Sequence, residues 1–201
     1  MTLVQTQCRE LSRDGIGAAI ETRRLILRAP RQQDVRAIAS IANDLRIAEN
    51  TGRLPHPYKI EDAEAFVAQA SRGDREITFL ITLMSREIIG VCGIATTDRD
   101  AELGYWVGVR HWGRGYATEA ARALIGHAFT ELGYNTLSAS VRVSNPASRR
   151  VLEKCGFQWS GVELRRIRAI ASAAPFDRFR LDRGLCASLK DWGKAPATPP
   201  S

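Results

Sequence analysis

The stretch Glu102-Leu103-Gly104-Tyr105-Trp106-Val107-Gly108-Val109-Arg110-His111-Trp112-Gly113-Arg114-Gly115-Tyr116-Ala117-Thr118-Glu119-Ala120 decides the fold. Leu103 to Val109 reads as a strand. From Ala117 onward, Ala120, Ala121, Leu124, Ala128, Phe129 and Leu132 recur along one helical face. The arginine- and glycine-rich loop therefore joins a strand end to a helix start. There a helix leaves N–H groups without intrahelical partners, and its dipole adds partial positive charge, so the loop suits an anion. Gly113 and Gly115 let the main chain approach a phosphate with no Cβ in the way, while Arg110 and Arg114 add charged donors. Taken alone, a Gly-x-Gly reads first as a tight turn in which glycine serves only conformation.

Working outward, Asn145-Pro146-Ala147-Ser148 opens a second helix with asparagine at the N-cap and proline at the first helical position; Gly156 ends it. Between the two helices, Gly133 is placed to cap the first. Leu137, Ala139, Val141 and Val143 then alternate with Ser138, Ser140 and Arg142 as a strand with one buried face. A right-handed crossover makes the strands at 103–109 and 137–143 a parallel pair.

Upstream, Thr22 to Arg28 is a strand stopped by Pro30, and Val35, Ile38, Ala39, Ala42 and Leu45 follow at helical spacing. Pro55 and Pro57 enforce a loop before a helix on Ile60, Ala63, Phe66, Val67 and Ala70. Ile77 to Met84 and Ile88 to Thr96 form a hairpin, Thr97 to Asp100 turns into the strand before the arginine loop, and Gly90 and Gly93 mark close approaches within the sheet. Phe157 to Val162 and Asp177 to Leu181 complete the sheet across a long basic linker. The expected fold class is α/β, a mixed and largely antiparallel sheet with a central parallel pair, flanked by helices.

Residues 21–190 read as one domain, behind a loose extension at 1–20 and ahead of a polar, proline-rich tail at 191–201 expected to be disordered. No apolar run approaches the ~18 residues of a membrane span, and charges at Arg9, Glu10, Arg13 and Asp14 occupy the place of an export signal. The expectation is a cytoplasmic protein with no membrane partner. The cysteines Cys8, Cys92, Cys155 and Cys186 lack metal spacing and the histidines stand singly, so no metal is expected and the thiols read as reduced. The net charge of +7 is concentrated in residues 110–183, which hold 13 Lys/Arg against 6 Asp/Glu. A multiply phosphorylated ligand would want such a field; nucleic acid would too.

Arg110-x-x-Gly113-x-Gly115-x-Ala117, with Asn145-Pro146-Ala147-Ser148 and the ending Cys155-Gly156-Phe157, resembles the acyl-CoA loop and following helix of the GCN5-related N-acetyltransferases (GNAT superfamily). Glu102 to Trp106 and Tyr116 to Ala120 look like its ribosomal-protein N-terminal (RimJ/RimL-type) branch. The resemblance implies the acyl-CoA N-acyltransferase fold, in which the parallel strands splay apart to admit the acyl pantetheine, and acetyl-CoA as co-substrate. It assigns Arg110, Trp112, Gly113, Arg114, Gly115, Tyr116, Ala117 and Thr118 to the pyrophosphate, mostly through backbone N–H. A main-chain N–H around Val107 to Val109 polarises the thioester carbonyl, and Asn145 contacts the pantetheine arm. Glu102 is the candidate general base, at a strand start expected to face the acceptor; an exposed turn glutamate is the plainer alternative. The tyrosine proton donor common in the family falls at Leu152, and Ser148, one turn earlier, is the candidate substitute; a plain helix serine explains it equally.

The resulting expectation is an enzyme that moves acetyl from acetyl-CoA to a primary amine by direct attack. A protein or peptide N-terminal α-amine is the leading acceptor, with a small-molecule amine (antibiotic, polyamine or amino acid) as the alternative. A non-catalytic acyl-CoA-binding module is a second class. Nucleic-acid binding ranks well below, for want of interleaved aromatics and a helix motif. The chain is read as a monomer or homodimer.

Overall fold

The structure is a computed structural model that describes residues 19–73, 76–96 and 101–192. Residues 1–18, 74–75, 97–100 and 193–201, and with them the expected N-terminal extension, the expected turn at 97–100 and most of the expected tail, lie outside the described residues.

Alternating apolar residues build an eight-stranded sheet of order β1-β2-β3-β4-β5-β6-β8-β7. The strands are β1 (Ile20–Glu21), β2 (Leu25–Arg28), β3 (Glu76–Leu83), β4 (Ile88–Thr96), β5 (Ala101–Val107), β6 (Thr136–Arg142), β7 (Gln158–Ile167) and β8 (Ser172–Asp182). All pairings are antiparallel except β5 with β6, which are parallel. That parallel pair meets at a single register position, Glu102↔Ser138, and the strands then part. The rest of β5 is left with an open edge, as the resemblance implied. β5 stops at Val107, where the sequence suggested Val109, because Val109–His111 closes into a 3₁₀ turn. Gly90 marks a close approach as expected: a Cβ there would stand 2.3 Å from the Trp106 carbonyl oxygen across the β4–β5 ladder.

Helix α4 (Tyr116–Thr130) buries Ala120, Ala121, Leu124, Ile125, Ala128 and Phe129 against one sheet face, where Leu103, Val107, Leu137 and Val141 receive them. On the opposite face, α1 (Val35–Ala42) and α3 (Ile60–Arg72) pack Val35, Ile38, Ala42, Ala63 and Val67 over Leu80 and Val91. The first helical pattern is broken in a way spacing did not reveal. Asp34 lies buried, taking both guanidinium nitrogens of Arg28 at 2.8 Å and the Arg31 N–H, while Asp44 caps a separate short helix, α2 (Leu45–Ala48).

Downstream the structure corrects the expected long basic linker. Residues 163–180 are mostly strand, because β7 and β8 pair from Gln158↔Arg180 to Ile167↔Ser172 around a tight turn at Arg168–Ile170 and Ala171. Arginines on a half-exposed hairpin have the composition of a loop. After α5 (Pro146–Lys154) and the hairpin, a last helix, α6 (Arg183–Trp192), enters the stretch read as a tail, with Cys186 buried in the core. Among the described residues no helix is long and apolar enough to cross a membrane.

Candidate active site

Gly113 and Gly115 have φ of +74° and +78°. L-residues rarely adopt such values, so the glycines bend the loop from the end of β5 into α4. Among the described residues, no backbone acceptor takes the N–H groups of Gly113 through Thr118. The first bond of α4 runs from Glu119 N–H to the Gly115 carbonyl at 3.1 Å. Trp112 behaves differently from its expected role: its amide donates to Val109 at 3.2 Å and its indole N–H to the Val107 carbonyl at 2.6 Å, so it pins the loop to the strand end.

The loop is held from outside by Arg24, a residue the sequence did not single out. Its Nε lies 2.6 Å from Glu119 Oε2, its Nη1 donates to the Arg114 carbonyl at 3.1 Å, and its guanidinium sits 4.7 Å from the centre of the Tyr116 ring. Burial alone would raise the Glu119 carboxyl. Hydrogen bonds from Thr22 and from the Arg24 side chain and amide outweigh that and hold it below its ordinary value. In the sequence Glu119 stood only within the Tyr116 to Ala120 stretch that resembles the family, with no role of its own.

A cleft of about 1410 Å³ runs from this loop, past the splay, to the α2–α3 side of the sheet. That exceeds the roughly 300–1,000 Å³ of an ordinary small-ligand site and suits a long ligand together with an acceptor. Of the predicted residues, Glu102, Val107, Trp112, Gly113, Gly115, Tyr116, Ala117, Thr118, Asn145 and Ser148 line it. Val109, in the 3₁₀ turn, and the exposed Arg110 and Arg114 do not. The lining holds six arginines and Lys154 against three carboxylates, Asp62, Glu76 and Glu102, which favours a polyanionic occupant. Free amides, a glycine bend and cationic walls thus fit a CoA pyrophosphate. Among the described residues no group of three or more His, Cys, Asp or Glu side chains gathers to hold a metal ion.

At the splay, Gly108 N–H donates to Ile89 on β4 at 2.8 Å. The two-residue alternation of that antiparallel ladder directs the N–H groups of Tyr105 and Val107 toward the gap beside β6, where a thioester oxygen would find them. Across the gap, the Asn145 Oδ1 accepts the Ser148 N–H at 3.1 Å, as an N-cap should, and the Ser148 hydroxyl lies 2.9 Å from the Tyr105 hydroxyl. Leu152 is wholly buried in the core and takes no part. Cys155, at the far end of α5, has its thiol pushed up to about 11 by burial, so little thiolate forms there near neutrality.

Glu102 faces the cleft but is not free. Arg165, from β7, reaches its two oxygens at 2.6 and 3.3 Å and also binds Glu163. The other cleft carboxylates are engaged as well: Glu76 by Arg53 at 2.9 and 3.0 Å, and Asp62 by the Lys59 N–H at 3.0 Å.

Residues 24–158 match the family model described as the acetyltransferase (GNAT) domain. The uncharacterized N-acetyltransferase YoaA of Bacillus subtilis (strain 168) is 34% identical over 150 residues, covering 71% of this chain and 84% of that protein. Among solved structures, Mycobacterium smegmatis RimJ in complex with CoA-disulfide has a TM-score of 0.76 at 22% identity, over 89% of this chain and 96% of that one. Spermidine N-acetyltransferase from Vibrio cholerae in complex with CoA and spermine has a TM-score of 0.71 at 22% identity, over 81% and 98%. Both are similar in fold, and both have a CoA species in the structure. The domain match spans about two thirds of the chain, including the arginine loop, α4 and α5, and the YoaA likeness covers 71% of it: the chain belongs to the acetyltransferase (GNAT) domain family and is an acetyl-CoA-dependent N-acetyltransferase.

Proposed function

We propose that the acceptor is an α-amine at a protein or peptide N-terminus. The observation that carries this reading is that all three carboxylates in the cleft are engaged, two by arginines and one by its own helix start. A polyamine needs carboxylates to bind its charges and a base to remove an ammonium proton. An α-amine needs far less of both. With an ordinary pKa near ~7.8, roughly a quarter to a third of it is already neutral at pH ~7.4, against about 0.1% of a lysine-like amine near ~10.4.

Positioning and polarisation then supply the rest. The N–H groups at Gly113 to Thr118 grip the pyrophosphate and those of Tyr105 and Val107 face the thioester carbonyl. The neutral amine attacks the carbonyl carbon, the C–S bond breaks with its electron pair on sulfur, and the amine proton passes to Glu102 directly or through water. For that last step Arg165 must yield one of the two Glu102 oxygens, which the positive charge developing on the attacking nitrogen favours.

Rates with acetyl-CoA and three acceptors test the reading: peptides with free α-amines, the same peptides blocked at the N-terminus but carrying lysine, and spermidine. The free α-amine peptides should react fastest, with acetylation at residue one by mass spectrometry. Faster turnover of spermidine than of every α-amine peptide would overturn it. Glu102→Gln should lower kcat by about 10²-fold across the pH–rate profile. A profile unchanged in height and shape takes Glu102 out of the mechanism.

A further inference from the structure

The half-buried hydroxyl of Tyr105 is a polar group that the mechanism above leaves without a task. It lies on β5, packs against the core, and ends in a hydroxyl 2.9 Å from Ser148 Oγ and 3.2 Å from the Ser148 carbonyl. The two residues come from opposite walls of the splay and both line the cleft. Tyr105 stands between Gly104 and Trp106 with no partner near it in sequence, so its role is invisible until β5 and α5 face each other.

We infer that Tyr105 is a positioning residue for the departing sulfur: its phenol donates to Ser148 Oγ, so that the Ser148 O–H is turned into the cleft toward the CoA thiolate. This rests on the reading of the cleft as the acetyl-CoA site. Each hydroxyl has one proton, and the phenol has two acceptors within reach, the Ser148 oxygen atoms of side chain and main chain. A negative sulfur in the cleft selects the arrangement in which Ser148 donates outward and Tyr105 donates to Ser148. The C–S bond breaks with its electron pair on sulfur, the sulfur is held as a thiolate by the serine O–H, and its proton is taken afterwards from water. No charge has to be created on either hydroxyl.

Burial suits the phenol to this task. It pushes the Tyr105 hydroxyl well above its ordinary value, an effect the bond to Ser148 only partly offsets, so Tyr105 keeps its proton near neutrality. A chain of two hydroxyls also makes the terminal one a stronger donor, because each bond polarises the next.

The test needs no acceptor. Free CoA is bound to the protein and its thiol titrated by thiolate absorbance and by alkylation rate against pH, with Tyr105→Phe, Ser148→Ala and the double variant compared. The thiol should titrate below free CoA in the wild-type complex by about one pH unit, the size of one charge-assisted hydrogen bond. Tyr105→Phe should lose roughly half of that, and adding it to Ser148→Ala should change nothing further. The same titration in free CoA and in wild type, an unshifted Tyr105→Phe complex, or an equal extra shift in the Ser148→Ala background would each overturn the inference. CoA affinity at pH ~6, where the thiol is neutral, should hold in Tyr105→Phe and serves as the folding control. Failure of the wild-type protein to bind CoA at all would instead refute the reading of the cleft.

Discussion

Gly113→Ala separates the conformation of the arginine loop from its contacts. The backbone there has φ of +74°, yet a Cβ would meet nothing within 4 Å, so alanine clashes with no neighbour and the whole effect is conformational. Holding an L-residue in the left-handed region costs about 1–2 kcal/mol. Where that cost falls depends on whether the free loop can relax. Gly113 N–H has no backbone partner among the described residues, whereas the next carbonyl, on Arg114, is held by Arg24 at 3.1 Å. The strain is therefore predicted to relax locally in the free protein and to reappear on binding. At about 1.4 kcal/mol per tenfold, CoA affinity by calorimetry should fall about 5- to 30-fold with little change in Tm. Gly113→Asn, which tolerates the left-handed region better, should lose less. An alanine variant that binds CoA within about twofold of wild type, at unchanged Tm, would refute the claim that this bend presents the amides.

Two other perturbations probe what holds the site. Gly90→Ala would place its Cβ 2.3 Å from the Trp106 oxygen and 3.0 Å from the Val107 Cα, backbone atoms that cannot rotate away. It should lower stability to chemical denaturation by about 2–3 kcal/mol; an unaltered midpoint would show that β4 and β5 are farther apart than described. Glu119 has a carboxyl depressed below its ordinary 4.5, so it contributes stability that is fully present above that value and is lost as pH falls through the lower one. The Tm advantage of wild type over Glu119→Gln should be full at pH ~6 and shrink steadily below pH ~4.5. An advantage undiminished at pH ~3 would contradict the pairing of Glu119 with Arg24.

Local periodicity made the centre of the molecule legible. The strand before the arginine loop, the apolar face of α4, the Asn145 cap and the alternation of β6 all lie within short windows, and the structure has them where the sequence suggested. The resemblance supplied the splay, which a periodic pattern does not encode. The β7–β8 hairpin was expected but its length was underestimated, because its arginines line the cleft or face solvent and give strands the composition of a loop. The break between α1 and α2 falls at Asp44, whose side chain accepts the Arg46 N–H to start the second helix, and apolar spacing does not mark it. At the site, pairs distant in sequence had no signal at all: Arg24 with Glu119, Tyr105 with Ser148, and Arg165 with Glu102. Each partner alone is an ordinary charged or core residue. Only the sheet brings them together, and it is these pairs that tune the candidate base, the leaving sulfur and the phosphate loop.

Amide hydrogen exchange with and without acetyl-CoA tests the central claim most directly, since it reads the N–H groups themselves. Gly113 to Thr118 should exchange rapidly in the free protein and become strongly protected when acetyl-CoA is added, with Tyr105 and Val107 slowing alongside them. Saturating acetyl-CoA that leaves Gly113 to Thr118 exchanging at the free rate would contradict the claim that these amides hold the cofactor's phosphates.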